Sequence, residues 1–177
     1  MRRVAAAAVL AGALAGAAGA APPEDWIGHW TGTCRLAPPY QGLETFGATL
    51  TVAPGSAPGS YSWRVTYDNG RHDVRAYELT LVDAAKGHYV IDEKNGLLLD
   101  AVISDGVLYA PFTIGEQLIV ATYSVGADGA MAMNLPAFGR EPARKTCLAD
   151  APETCAASFV LAQSQHCRLT RAAMSKF

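Results

Sequence analysis

The sequence predicts an all-β protein, a single antiparallel up-and-down β-barrel of about ten strands. Apolar and polar residues alternate in successive short segments, Asn-Gly or Asp-Gly pairs separate several of these segments, and no stretch has the pattern of an amphipathic helix of useful length. Hairpins that follow one another form a meander, and a long meander closes because an open sheet leaves two unpaired edges. A two-sheet sandwich is the structural alternative.

Residues 1–20 have the layout of a secretory signal peptide. Arg2 and Arg3 precede an uncharged Ala/Val/Leu run that ends in an A-x-A pattern at 18–20. The run is shorter than the roughly 20 apolar residues of a membrane helix, so a cleaved leader is expected rather than a retained anchor, and no membrane span. Residues 21–177 are then expected to form one barrel domain, periplasmic or secreted.

The charge of the chain argues against nucleic acid as a partner. Removal of the leader takes the net charge from −2 to −4, because two arginines leave with it. A weakly acidic chain without a basic cluster lacks the electrostatic footprint of a nucleic-acid binder. The remaining length suits one core, and a monomer is expected.

Ten strands are predicted from the alternation and the turn pairs. In the second of them, for example, Phe46 and Leu50 share a dry face while threonines take the wet one. The predicted strands span 26–35, 45–52, 61–67, 74–82, 88–92, 97–103, 107–114, 118–125, 130–135 and 158–170.

The first strand is expected to close one end of the barrel. Period two places Trp26, Gly28, Trp30, Gly32 and Cys34 on its inward face. The glycines are expected to make room there for the large tryptophan rings.

Gly28-His29-Trp30 resembles the G-x-W motif in the first strand of lipocalins, with Trp26 as the aromatic residue two places earlier. The resemblance implies that Trp30 closes the barrel and packs under a basic residue of the last strand, which is Arg168 or Arg171; Arg168 is assigned. The T-D-Y motif of lipocalins is absent, and the strand number is closer to that of ten-stranded relatives. The resemblance is therefore to the wider lipocalin-like (calycin) group of secreted bacterial barrels.

The same opening is also similar to the G-x-W-x-G-x-G motif of nitrobindin-like haem barrels, with Cys34 at the last glycine. That resemblance implies a haem-ligating histidine near the C-terminus, for which His166 is the candidate. By alternation His166 lies opposite to Cys167 and faces solvent, so no cofactor is expected.

Four cysteines in an exported chain predict two disulfides. In an even-stranded barrel the first and last strands are antiparallel neighbours, which favours Cys34 with Cys167 among the three possible connectivities. Cys147 and Cys155 then pair within the long segment 138–157. Zinc is the alternative, but the cysteine spacings do not fit a structural zinc site, and no metal is expected.

An inward-facing set of mostly aromatic residues is the candidate ligand site. Such residues line an apolar pocket for a small hydrophobic or amphipathic ligand, or they fill a small barrel that serves the cell envelope without a ligand. The long segment 138–157 either covers one mouth as a lid or bridges the barrel end. The candidate ligand-binding residues are Trp63, Tyr67, Arg75, Tyr77, Phe112, Tyr123, Met131 and Met133.

No catalytic residue is predicted. The four histidines lie in no recognisable ligand or catalytic pattern, and the acids Asp92 and Glu93 flank a tight Asn-Gly turn that is expected to be solvated. An enzyme would need a pair of groups inside the barrel, for which Asp92 with Arg75 is the candidate.

Overall fold

The computed structural model describes residues 23–172, and the predicted signal peptide at 1–20 lies outside them. Ten antiparallel strands form a closed up-and-down barrel, which confirms the predicted fold class. Within the described residues no helix has the length and apolarity to cross a membrane. The strands are β1 (Gly28–Tyr40), β2 (Leu43–Pro54), β3 (Ser60–Asp68), β4 (Asp73–Asp83), β5 (His88–Asp92), β6 (Leu98–Ser104), β7 (Val107–Ile114), β8 (Gln117–Val125), β9 (Met131–Gly139), β10 (Arg144–Cys147), β11 (Cys155–Ser158) and β12 (Leu161–Arg171).

The long segment before the last strand is not a plain loop. β10 and β11 form a separate two-stranded hairpin, and β12, which starts at Leu161, completes the barrel. The predicted tenth strand, 158–170, therefore merged two separate elements, because it began at the last residue of β11 and continued through β12. All residues of β10 and β11 are exposed, so the hairpin carries no apolar alternation that marks it in the sequence.

β1 and β12 form the seam at which the sheet closes. Eight residue pairs join them, from Trp30 opposite Arg171 to Ala37 opposite Ser164. Cys34 and Cys167 face each other in the middle of this seam and form a disulfide, and Cys147 and Cys155 form another across β10 and β11. Both predicted disulfides are confirmed.

One end of the barrel, called the closed end, is filled by tryptophans. Trp26 lies in a short 3-10 helix over Pro23–Trp26 rather than in β1, and its ring packs edge-on against Trp63 at 5.9 Å between centroids. The indole Nε1 of Trp30 donates a hydrogen bond to the carbonyl oxygen of Trp26 at 2.8 Å. Trp30 is 1% exposed, so the ring is sealed inside the barrel.

Arg171, and not Arg168, packs on the closed end. The Arg171 guanidinium carbon lies 4.3 Å from the centroid of the Trp30 ring. Arg168 instead pairs on the outer surface with Asp128. The assignment to Arg168 is wrong because Cys167 and Leu169 face inward; alternation sends Arg168 outward and brings Arg171 back to the inner face.

The glycines of β1 make room for neighbours other than tryptophan rings. A Cβ at Gly32 would overlap the carbonyl oxygen of Arg168, so this glycine permits the close approach of the β12 backbone. A Cβ at Gly28 would lie 2.7 Å from Nη1 of Arg171, and its φ of 149° is itself unfavourable for other residues. The space beside these two glycines was expected to hold tryptophan rings, but the backbone of β12 and the side chain of Arg171 occupy it.

Gly32→Ala is expected to lower the free energy of unfolding by about 1–3 kcal/mol, because the added methyl group meets backbone at the seam. Gly47→Ala in the adjacent strand is the control: its Cβ would be 3.5 Å from Asp68, an ordinary contact. Urea unfolding measures both variants. Equal stability of the two would contradict the role of Gly32.

Removal of the seam disulfide is expected to cost more stability than removal of the hairpin disulfide. The Cys34–Cys167 bond spans 133 residues and the Cys147–Cys155 bond spans 8. Loop-closure entropy then gives losses of about 5 and about 2.5 kcal/mol for the respective double alanine variants. Urea unfolding without reductant compares them, and the reverse order would refute the argument.

Candidate functional site

A cavity of about 250 Å³ lies inside the barrel, toward the open end, which we define as the end remote from Trp26 and Trp30. Glu93 and Ile114 mark this end, because they lie where β5 and β7 finish. The cavity is lined by Trp63, Tyr67, Arg75, Tyr77, Leu79, Ile91, Glu93, Leu99, Leu108, Ala110, Phe112, Ile114, Ile119, Ala121, Tyr123, Leu135 and Gln165.

Small residues create this space. Ala110 in β7 and Ala121 in β8 are paired across the ladder, and both are buried. Each leaves empty the volume that a larger inward side chain would fill. Trp63 stands between the cavity and the closed end, with Trp26 on one side and Tyr123 on the other at 5.0 Å between ring centroids.

Six of the eight predicted ligand residues line the cavity. They are Trp63, Tyr67, Arg75, Tyr77, Phe112 and Tyr123.

Met131 and Met133 do not line the cavity. Both have no exposed surface, because β9 begins at the closed end and its first inward residues belong to the filled half of the interior. Met133 reaches the site only indirectly, since its Sδ accepts a hydrogen bond from the Tyr67 hydroxyl at 3.9 Å.

Two polar lining residues were missed by the sequence interpretation. Glu93 was assigned to a solvated turn, but it continues the inward series of Tyr89 and Ile91. Gln165 shares the inward face of β12 with Cys167, and its amide nitrogen lies 3.4 Å from the Cys167 sulfur. Alternation extended one residue beyond the predicted strand 88–92 would have indicated Glu93, and alternation within the predicted strand 158–170 already placed Gln165 on the face of Cys167.

Arg75 and Asp73 form an ion pair on β4 at the open end. Nε of Arg75 donates to Oδ1 of Asp73 at 2.9 Å, and Nη2 donates to Oδ2 at 2.8 Å. The hydrogen bonds from this guanidinium lower the pKa of Asp73. The carboxylate is therefore ionised at neutral pH and occupies the fork of the arginine.

The tyrosine hydroxyls of the cavity are neutral hydrogen-bonding groups. Burial raises the pKa of Tyr67 to about 12, although the Gln165 side chain and the Arg75 charge act in the opposite direction. Burial also raises the pKa values of Tyr77 and Tyr123. All three can donate or accept a hydrogen bond inside the cavity at physiological pH.

The structure does not bring together the groups considered for catalysis or for haem. Asp92 bonds to Lys94 at 2.8 Å while Arg75 bonds to Asp73. His166 is exposed, with its Nδ1 3.0 Å from the side-chain oxygen of Asn134. Among residues 23–172, no group of three His, Cys, Asp or Glu side chains is arranged to hold a metal ion.

The segment with β10 and β11 does not contribute to the cavity wall. Its residues are absent from the cavity lining in the described part of the chain. The backbone N–H of Arg140 donates to the carbonyl oxygen of Glu116 at 2.9 Å, which attaches the start of the segment beside the turn between β7 and β8.

No family model and no curated protein matches this chain. Among solved structures, the chain is similar to a protein of unknown function from the DUF3598 family of Nostoc punctiforme PCC 73102. The TM-score is 0.55 at 12% sequence identity, and the match covers 84% of this chain and 48% of that chain. This chain thus spans about half the length of that protein, and the likeness concerns the fold.

Alkaline titration is expected to destabilise the barrel through its buried tyrosines. Burial favours neutral Tyr67, so its contribution to stability is complete below the ordinary pKa of 10.0 and is lost as the pH rises toward about 12. Tyr67→Phe should flatten the fall in unfolding free energy over this range. Tyr40→Phe is the control, since Tyr40 is 58% exposed. Identical pH profiles of the Tyr67→Phe variant and the parent would contradict this expectation.

Proposed function

We propose that the protein binds a small apolar or amphipathic molecule in the barrel cavity without catalysing a reaction on it. The observation that supports the proposal is the cavity itself, which is walled by aromatic and aliphatic side chains and carries a few polar groups at its mouth. This combination is the usual chemistry of a small-molecule site.

The size of the cavity limits the ligand. Ligand sites usually measure roughly 300–1,000 Å³, while an apolar cavity of roughly 150 Å³ takes up benzene. A volume of about 250 Å³ therefore suits a compact molecule with one ring or a short branched chain. It does not suit a tetrapyrrole or a long lipid.

We further infer a lipocalin-like barrel that is exported and works as a monomer in the periplasm or outside the cell. Two disulfides support an oxidising compartment. The arginine of the last strand over Trp30 supports the lipocalin-like relationship, because it reproduces the packing that the G-x-W motif implies.

Native mass spectrometry of the purified protein tests the binding function. We expect a mass increment from a co-purified small molecule that disappears when the protein is unfolded and refolded. An empty protein whose thermal stability is unchanged by a panel of compact apolar molecules would refute ligand binding. It would favour the alternative, a filled barrel that serves the cell envelope without a ligand.

Ala121→Leu distinguishes a ligand cavity from a filled barrel. In a ligand cavity the larger side chain occupies free space, so the variant should keep its stability and lose at least about tenfold in affinity for the co-purified molecule. In a filled barrel overpacking would cost about 1–3 kcal/mol of unfolding free energy. Ala76→Leu, on the exposed outer face of β4, is the matched control. Urea unfolding and ligand titration are measured on both.

A further inference from the structure

Two charged side chains, Arg75 and Glu93, line the cavity, and only Arg75 has an oppositely charged partner among the described residues. Arg75 is already paired, since both oxygens of Asp73 accept hydrogen bonds from its guanidinium. The pair is close to neutral as a unit, and an incoming anion would have to compete with Asp73 for the arginine fork.

Glu93 has no cationic partner within residues 23–172. Its Oε2 accepts a hydrogen bond from the side-chain amide of Asn95 at 3.1 Å, and this donor is uncharged. The adjacent Lys94 turns to the outer face, where its Nζ lies 2.6 Å from Glu78 and 2.8 Å from Asp92. With the charge of Arg75 cancelled by Asp73, Glu93 leaves one net negative charge on the cavity lining.

The walls of the cavity add to the preference for positive charge. Five aromatic rings line it, and the faces of such rings attract cations. Burial raises the pKa values of Tyr77 and Tyr123, and the charge of Glu93 acts in the same direction. A negative charge and five aromatic rings thus line the same space.

We propose that the ligand is a compact organic cation, an ammonium group with small apolar substituents, with Glu93 as its counter-ion. This inference rests on the proposed binding function and names the ligand class. The apolar substituents would contact the aliphatic walls, and the charged nitrogen would lie among the rings near Glu93. A carboxylate ligand would instead face the repulsion of Glu93 and Asp73.

Three probes of nearly equal shape test the sign of the preferred charge. Choline carries a trimethylammonium group, 3,3-dimethylbutan-1-ol is its uncharged carbon analogue, and 3,3-dimethylbutanoate is the anion. Isothermal titration of the purified protein should show choline binding at least about tenfold more tightly than the alcohol, with the carboxylate weakest.

Glu93→Gln keeps the size and hydrogen-bonding capacity of the side chain and removes its charge. It should reduce choline affinity about tenfold and leave the affinity for the alcohol unchanged. Glu116→Gln is the matched control, because it removes an exposed charge from the same end of the barrel outside the cavity lining. Its choline affinity should equal that of the parent.

Each other outcome overturns the proposal in a recognisable way. Equal or tighter binding of the alcohol or of the carboxylate would refute a cationic ligand while leaving small-molecule binding intact. A choline preference that survives Glu93→Gln would refute Glu93 as the counter-ion. Failure of all three probes would also refute a compact cation, and the co-purified molecule in native mass spectrometry would then decide the binding function separately.

Discussion

Pairing of the first and last strands is the constraint on which the rest of the molecule depends. It removes the two free edges of a ten-stranded sheet, and its register decides which side chains of β12 point inward. In the observed register Gln165 reaches the cavity and Arg171 covers Trp30. A shift by one residue would bring His166 and Arg168 into the interior instead. The disulfide at Cys34 and the glycine at position 32 hold the two strands in the productive alignment.

The interior is divided into a filled half and a hollow half. Toward the closed end, Trp30, Met131 and Leu169 occupy the space and have almost no exposed surface. Toward the open end, the paired alanines of β7 and β8 leave it empty. The same ladder therefore contains two kinds of interior: large side chains at one end provide packing energy, and small ones at the other leave a cavity.

Alternation along the chain predicted the barrel strands well because it reports which side of the sheet a residue faces. It does not report the height of a residue along the barrel axis, which depends on the stagger between strands. Met131 and Met133 were correctly placed inside but at the wrong level, whereas Trp63 and Tyr123 lie at the level of the cavity. The hairpin of β10 and β11 escaped prediction because a ribbon exposed on both faces has no apolar period.

The chain enters the described structure at Pro23 and leaves it at Ala172, and both positions belong to the closed end. The backbone N–H of Ala172 donates to the carbonyl oxygen of His29 at 2.8 Å, and Nη2 of Arg171 donates to the carbonyl oxygen of Asp25, so the two ends are neighbours. A tether at either end would hold the barrel with its cavity facing away from the attachment point. A short linker between the ends, with new termini at the turn around Gly70, would give a circular permutant that retains every strand pair.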